Sequence, residues 1–186
     1  MPGPIPYPGR CLCGRVRFQL NAEPLTLYAC HCTDCQRRSG GALLLSMWVD
    51  RESIETLEGS PPWVSSIASD GRERRNRVCP ACQTRLWSEP VDWPRLAILR
   101  PTLLLQGGAF TPVAHQFVRS ALPWFVFPAG VTRYETAPED PTELVRLWRD
   151  ARSRAPDQMS ISPIVLTNDS LRTSPSRAFN SDSLHP

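Results

Sequence analysis

The amino-acid sequence predicts a mainly β fold with one C-terminal helix and a disordered tail. Three observations lead to this prediction: apolar residues alternate or cluster in short segments, prolines separate these segments, and a single segment has helical spacing. Residues 156–186 contain seven serines and four prolines without apolar periodicity, a composition typical of disordered chains. We therefore expect an extended arm over residues 1–8, a β domain over 9–155 and a disordered tail over 156–186.

The first predicted strand has the two-residue period of a half-buried strand. Val16, Phe18 and Leu20 alternate there with polar side chains, and residues 43–49 form a short apolar run of buried-strand length. Further candidate strands lie at residues 63–67, 96–99, 103–105, 113–118 and 124–127. Prolines beside these segments favour short strands over long helices: Pro61, Pro62, Pro90, Pro94, Pro101, Pro112, Pro123 and Pro128.

The predicted helix spans residues near 141–154. Asp140 is a candidate N-cap, Pro141 occupies the first helical position, and Glu143 lies three residues after the cap. An apolar face and a basic C-terminal end follow, formed by Leu144, Leu147, Trp148 and Ala151 and by Arg149, Arg152 and Arg154. We expect this helix to pack on the β domain in a structural role.

Composition excludes several classes of function. All 21 basic residues are arginine, so no mechanism that needs a lysine base or Schiff base is available. The net charge of +3 is too small and too dispersed to indicate nucleic-acid binding. No apolar run reaches the ~18 residues of a membrane span, and the N-terminus lacks a secretory signal, so we expect a cytoplasmic protein.

The seven cysteines carry the strongest functional signal. An odd number excludes complete internal disulfide pairing, and in a reducing compartment clustered cysteines bind metal more often than they cross-link. They form the groups Cys11/Cys13, Cys30/Cys32/Cys35 and Cys79/Cys82, with two C-x-x-C turns of zinc-knuckle spacing. Seven thiolates divide into a closed four-ligand site and a three-ligand site with an open position. The sequence therefore predicts two zinc ions per chain.

Spacing alone leaves two ways to assign the cysteines. One joins Cys11 and Cys13 to Cys79 and Cys82, and leaves Cys30, Cys32 and Cys35 as the open site. The other joins the two C-x-x-C turns in a zinc ribbon. Locality favours the first assignment, because three ligands within six residues hold an ion with little loop closure.

The ordered cysteine pattern resembles that of the glutathione-dependent formaldehyde-activating enzymes, whose domain also occurs in centromere protein V. The resemblance covers roughly residues 9–135. The matching segments are Cys11-x-Cys13-Gly14-x-Val16-x-Phe18, Cys30-His31-Cys32-x-x-Cys35 with Ser39-Gly40, Cys79-Pro80-x-Cys82 with Leu86-Trp87, and, more loosely, His115-Gln116-Phe117-Val118 and Pro123-Trp124.

This resemblance implies a fold of small antiparallel sheets that lean together like a tent. It also implies a structural zinc at Cys11, Cys13, Cys79 and Cys82, and a catalytic zinc at Cys30, Cys32 and Cys35. The implied activity is a carbon–sulfur lyase reaction that condenses glutathione with formaldehyde to S-hydroxymethylglutathione. The implied partners are thus a small thiol and a small aldehyde, and composition leads us to expect neither a membrane nor a nucleic-acid partner.

Two positions depart from the family pattern. Gln83 stands where the family usually has glycine, at a place suited to a left-handed backbone. Residues 103–108 replace a Gly-Thr-Leu-Asp-like segment. We expect metal binding to survive both changes, whereas glutathione recognition is the property that they put at risk.

Other candidate residues have a functional and a structural interpretation. Arg37 and Arg38 can bind a substrate carboxylate or belong to a solvated turn. His31 is expected to support or pack near the metal ligands, and His115 and Trp124 fit core strand positions. The basic cluster at residues 72–77 is expected to form a solvated loop.

The sequence identifies no catalytic residue beyond the zinc ligands. It favours a zinc-dependent lyase, with a non-catalytic zinc-stabilised binding module as the alternative. The two differ in whether the second zinc has an exchangeable ligand.

Overall fold

The computed structural model describes residues 3–154, which contain eleven strands and two α-helices. The strands are β1 (Tyr7–Arg10), β2 (Arg17–Leu20), β3 (Thr26–Cys30), β4 (Leu44–Asp50), β5 (Ile54–Glu58), β6 (Trp63–Ile67), β7 (Glu73–Val78), β8 (Arg85–Pro90), β9 (Leu96–Leu99), β10 (Ala114–Gln116) and β11 (Thr132–Tyr134). The helices are α1 (Thr33–Ser39) and α2 (Thr142–Ser153). The tail predicted over residues 156–186 lies outside the described residues.

The strands form two sheets, which confirms the mainly β prediction. Strands β1, β2 and β5 make a three-stranded antiparallel sheet in the order β1-β2-β5. The other eight form one sheet in the order β11-β10-β3-β4-β9-β8-β7-β6. Its pairs are antiparallel except that β10 runs parallel to both β3 and β11. Within residues 3–154, neither α-helix has the length and apolar composition that a membrane span requires.

The two faces of the larger sheet have different neighbours. Successive side chains of a strand point to opposite faces, so Leu27 and Met47 lie on one face of β3 and β4, and Tyr28 and Trp48 on the other. The first face joins the main core with Phe18 and the three-stranded sheet. The second face belongs to a smaller apolar cluster that includes Cys30. The strand period therefore separates the core from the side that carries the cysteines of β3 and α1.

The predicted C-terminal helix is confirmed as α2. Asp140 Oδ1 accepts a hydrogen bond from the Thr142 backbone N–H at 2.9 Å, as an N-terminal capping side chain does. Leu144 and Trp148 are buried, and the Thr26 hydroxyl donates to the Leu144 carbonyl at 2.8 Å. These contacts attach α2 to β3.

Several local predictions differ from the structure. The basic segment at residues 72–77, expected as a loop, mostly lies in β7, where cross-strand pairing with β6 and β8 overrides its polar composition. Residues 124–127, expected as a strand, form no strand. Helix α1 was not predicted, because its residues show no apolar periodicity and none of them is buried.

Candidate functional site

The fold brings the seven cysteines together in two separate groups. One group contains Cys11, Cys13, Cys79 and Cys82 (the four-cysteine cluster), and the other contains Cys30, Cys32 and Cys35 (the three-cysteine cluster). Within each group the sulfur atoms all lie within 4.8 Å of one another, and none of the seven forms a disulfide. The structure thus joins Cys11 and Cys13 to the second C-x-x-C turn, and it does not join the two C-x-x-C turns in a zinc ribbon. Each group can hold a metal ion.

The sulfur separations in the four-cysteine cluster suit a tetrahedral site. A zinc ion with four sulfurs at ~2.3 Å places the sulfurs about 3.8 Å apart. The Sγ atoms of Cys11 and Cys13 are 3.5 Å apart, and those of Cys13 and Cys79 are 3.8 Å apart. Four sulfur donors at this spacing fit a zinc ion that has no remaining open position.

Hydrogen bonds from the surrounding chain support the thiolates of the four-cysteine cluster. The Val16 backbone N–H donates to Cys11 Sγ at 3.3 Å. Thr84 Oγ1 lies 3.1 Å from Cys82 Sγ and accepts from the Leu12 N–H, so its hydroxyl proton is free to point at the sulfur. Hydrogen bonds from Thr84, first from its side chain and then from its backbone, lower the pKa of Cys82 to about 5.

A left-handed residue closes the second turn of this cluster. Gln83 has φ 61°, and its N–H donates to the Cys79 carbonyl at 3.0 Å. This is the conformation that the family's usual glycine adopts without steric cost. The turn therefore keeps its shape in this chain despite the substitution, with some backbone strain at Gln83.

The three-cysteine cluster is built on a strand end and a helix start. Cys30 is the last residue of β3, Cys32 is the N-cap of α1, and Cys35 lies in the first turn of that helix. The Cys35 N–H donates to Cys32 Sγ at 3.4 Å. Hydrogen bonds from the Cys30 and Cys35 thiols lower the pKa of Cys32 to about 2. Three sulfurs around one point suit a soft or borderline metal ion such as zinc.

Polar and aromatic contacts fix the turn between β3 and α1. The Gln36 side-chain amide donates to the carbonyls of His31 at 2.9 Å and Ser120 at 2.8 Å. His31 is fully buried, and its Nε2 is 2.8 Å from His115 Nδ1. Burial, followed by the neighbouring His31, lowers the pKa of His115 to about 4. His31 thus points away from the metal ligands into a packed pair, as expected from its place between them.

A cavity of about 530 Å³ opens at the three-cysteine cluster. All three of its cysteines line this cavity, whereas no member of the four-cysteine cluster does. The cavity lies on the face of the larger sheet opposite the main core, between α1 and the strands from β3 to β8. An ion at this cluster would therefore have an accessible side.

Four arginines line the cavity and have no carboxylate partner within 4.0 Å among the described residues: Arg38, Arg74, Arg85 and Arg100. Arg74 lies within electrostatic range of Asp70, and the other three are called the arginine group. Burial, followed by the nearby charges of Arg100 and Arg38, lowers the pKa of Arg85 to about 10. The Arg100 Nε is buried and has no hydrogen-bond partner. Four acidic side chains also line the cavity: Asp34, Asp70, Glu73 and Asp92. Asp70 pairs with Arg72, Asp34 accepts from the Ser69 N–H, and Glu73 accepts from the Ser65 hydroxyl.

The two arginines singled out from the sequence lie in different places. Arg38 lines the cavity and donates to Ser66 Oγ at 3.3 Å, whereas Arg37 is exposed and is not part of the lining. Sequence reasoning missed Arg85 and Arg100, although Arg85 is only three residues after Cys82. No local pattern marks them, because pairing between β8 and β9 brings them together.

The two departures from the family pattern lie away from the cavity. Neither Gln83 nor any residue of the segment 103–108 contributes to its lining. The segment packs instead on β1, where the Leu105 N–H donates to the Pro8 carbonyl at 2.9 Å. A Cβ atom on Gly107 would lie 2.1 Å from the Pro101 carbonyl oxygen, so this glycine is required for packing.

Comparison with known proteins places the chain in a family. Residues 6–120 match the sequence profile of the glutathione-dependent formaldehyde-activating enzyme family, which is more than half of the chain, and the chain belongs to this family. A crystal structure of a Rhodobacter sphaeroides protein is similar, with 15% sequence identity, a TM-score of 0.41, and coverage of 68% of this chain and 98% of that one. No significantly similar sequence was found among curated proteins.

Proposed function

We propose that this chain is a zinc-dependent carbon–sulfur lyase of the cytoplasm that joins a thiol such as glutathione to formaldehyde or another small aldehyde. The observation that carries the proposal is the opening of the three-cysteine cluster onto a cavity of about 530 Å³. Family membership supports the same reaction type. A purely structural site has no need of a cavity large enough for a small-molecule substrate.

In this proposal the two clusters hold two zinc ions with different roles. Cys11, Cys13, Cys79 and Cys82 hold a structural ion, and Cys30, Cys32 and Cys35 hold a catalytic one. When bound at the three-cysteine cluster, zinc supplies an open position for a soft ligand such as the substrate sulfur. The surrounding side chains bind and orient both reactants.

The reaction adds the thiol across the carbonyl group. A carbon–sulfur bond forms, the π electron pair of the carbonyl moves to oxygen, and the proton of the thiol ends on that oxygen. The cavity walls hold the sulfur and the carbonyl carbon near each other, and this proximity supplies much of the rate. The reverse reaction returns the free thiol and aldehyde.

The arginine group binds the anionic part of the thiol. Guanidinium groups that lack a protein carboxylate are available to a substrate carboxylate, and burial strengthens the interaction. Arg85 and Arg100 both lie within electrostatic range of Cys35, so an anion held by them has its thiol close to the cluster. This assigns the carboxylate contacts to Arg38, Arg85 and Arg100, without Arg37.

The test measures exchange between glutathione and formaldehyde by two-dimensional exchange NMR. We expect the native protein to accelerate the exchange and Cys32→Ser to lose one zinc and at least about 100-fold in rate. Arg37→Gln is the matched control, because Arg37 is an exposed residue of α1 outside the cavity lining. Unchanged zinc content and turnover in Cys32→Ser would contradict the catalytic role of this cluster.

The binding-module alternative makes a different prediction in the same experiment. A protein that contains two zincs yet accelerates no thiol–aldehyde exchange would favour it. If both ions were purely structural, substitution of a residue of the arginine group would not change the binding of any thiol.

A further inference from the structure

Three aromatic side chains form one continuous wall of the cavity: Tyr28, Trp48 and Trp93 (the aromatic wall). The rings of Tyr28 and Trp48 meet edge to face with centroids 5.7 Å apart, and those of Trp48 and Trp93 do so at 5.6 Å. The Trp48 indole N–H donates to the Tyr28 hydroxyl at 3.2 Å. Each ring is therefore fixed by its neighbour, and the wall is a preformed apolar surface.

The aromatic wall begins beside the three-cysteine cluster. Tyr28 and Cys30 are two residues apart on β3, so their side chains lie on the same face, about 7 Å apart along the strand. A group bonded to an atom at the cluster can thus reach the first ring of the wall directly.

Trp93, which is one end of the aromatic wall, and two members of the arginine group lie toward opposite ends of one hairpin. Trp93 is in the turn between β8 and β9, whereas Arg85 begins β8 and Arg100 directly follows β9. Five to six residues of extended strand separate these two ends, about 16 Å. The cavity therefore has a basic end at Arg85 and Arg100 and an aromatic end at Trp93, and Cys35 of the three-cysteine cluster lies within electrostatic range of the basic end.

Trp93 has an exposed indole ring that a ligand in the cavity can contact. Trp93 is 45% exposed. Of the large apolar residues that are exposed in residues 3–154, only Trp93 lines the cavity. It contributes nothing to either apolar cluster of the core. An exposed indole at a cavity wall is a surface that an apolar group can cover.

We propose that the aldehyde substrate carries an aromatic substituent, which packs against the aromatic wall. The inference rests on the proposed lyase function, in which the arginine group binds the anionic part of the thiol substrate. The aromatic end of the cavity is then available to the aldehyde. Formaldehyde has no substituent and would leave the wall uncovered. The chemistry is unchanged: sulfur bonds to the carbonyl carbon, and the thiol proton ends on oxygen.

The experiment uses 4-fluorobenzaldehyde and formaldehyde with glutathione and the zinc-loaded full-length chain. Fluorine NMR reports binding of the aromatic aldehyde from line broadening without thiol, and its conversion to the hemithioacetal from a separate resonance. Each rate is expressed relative to the uncatalysed reaction of the same aldehyde. This corrects the comparison for the different intrinsic reactivities of the two aldehydes. Formaldehyde exchange is followed in parallel by proton NMR.

We expect Trp93→Ala to lower kcat/KM for 4-fluorobenzaldehyde relative to formaldehyde at least about 10-fold, because an apolar contact discriminates by about this factor. Trp93→Phe should retain most of the preference. Trp124→Ala is the matched control, since Trp124 is 69% exposed and outside the cavity lining, and it should leave the ratio unchanged. Thermal unfolding checks that all variants are folded.

Two results would overturn the inference in distinguishable ways. In the first, the protein catalyses formaldehyde exchange, Trp93→Ala leaves the ratio of kcat/KM for the two aldehydes unchanged, and the fluorine resonance does not broaden. This result would reject the aromatic subsite while the lyase function stands. No catalysis of either aldehyde would reject the lyase function and the inference with it.

Discussion

The two cysteine clusters use the same donor atom in opposite surroundings. In the four-cysteine cluster, Cys11 and Cys79 are 1% and 0% exposed and belong to the main hydrophobic core, whereas Cys13 is exposed. The three-cysteine cluster lies on the other face of the larger sheet and opens onto the cavity. The difference teaches that the number of donors and an adjoining cavity, more than residue type, separate a site that holds the fold from a site that can react.

The clusters also differ in how far apart their ligands lie along the chain. Cys13 and Cys79 are separated by 66 residues, so an ion between them cross-links distant parts of the fold. The three-cysteine cluster spans only residues 30–35 and closes a short loop. Metal at the first cluster should therefore contribute far more to the free energy of unfolding.

The largest effect is expected from Cys79→Ser. This substitution removes a fully buried ligand from the core and should cost more than about 4 kcal/mol of stability together with one zinc. That corresponds to a loss of more than about 10 °C in Tm, measured by calorimetry. Cys35→Ser is the comparison, since it removes a partly exposed ligand and should shift Tm by less than about 5 °C. Equal shifts in Tm would remove the distinction between the clusters.

Mild chelation should distinguish the clusters by accessibility. We expect two phases of zinc release, in which the first ion leaves with loss of lyase activity and little change in near-UV circular dichroism. The second should leave only as the protein unfolds, because its ligands are partly in the core. Release of both ions in one phase, coincident with unfolding, would argue that the three-cysteine cluster is also structural.

A smaller effect is expected from Arg85→Gln, which tests the basic end of the cavity. Loss of a charge-assisted contact should raise KM for glutathione about 10- to 100-fold, with a smaller effect on a neutral thiol such as 2-mercaptoethanol. Arg37→Gln is the matched control, because Arg37 is exposed and outside the cavity lining. An equal rise in KM for charged and neutral thiols would indicate a structural role for Arg85.

The smallest effect is expected from Gln83→Gly in the four-cysteine cluster. Gln83 has φ 61°, so glycine should relieve backbone strain and stabilise the protein by about 0.5–1 kcal/mol. Thermal unfolding should show an increase in Tm of a few degrees at most. Ala81→Gly, at a residue of the same turn without positive φ, should instead lower Tm. A fall in Tm for both variants would show that the left-handed conformation carries no strain.

Local sequence signals predicted the parts of the molecule that depend on local physics. The capping pattern at Asp140 predicted α2, and the spacing of Cys30, Cys32 and Cys35 predicted a local three-sulfur group. The resemblance to the family marks position 83, where glycine is usual, as suited to a left-handed backbone, and Gln83 has φ 61°.

What sequence reasoning missed depends on contacts between distant segments. Strand β7 is polar throughout most of its length, so only its pairing with β6 and β8 makes it a strand. The arginine group combines α1, β8 and the end of β9, which no spacing rule relates. Helix α1 has no buried residue, so its sequence lacks the apolar face by which a helix is predicted.

The most direct test of two sites with different roles is the zinc content per chain. Elemental analysis of the native protein and of a Cys30→Ser/Cys32→Ser double variant should give two zincs and one zinc, with the fold of the variant retained. The loss should abolish thiol–aldehyde exchange. A single zinc in the native protein, unchanged in the variant, would contradict the account and leave the three-cysteine cluster without its metal.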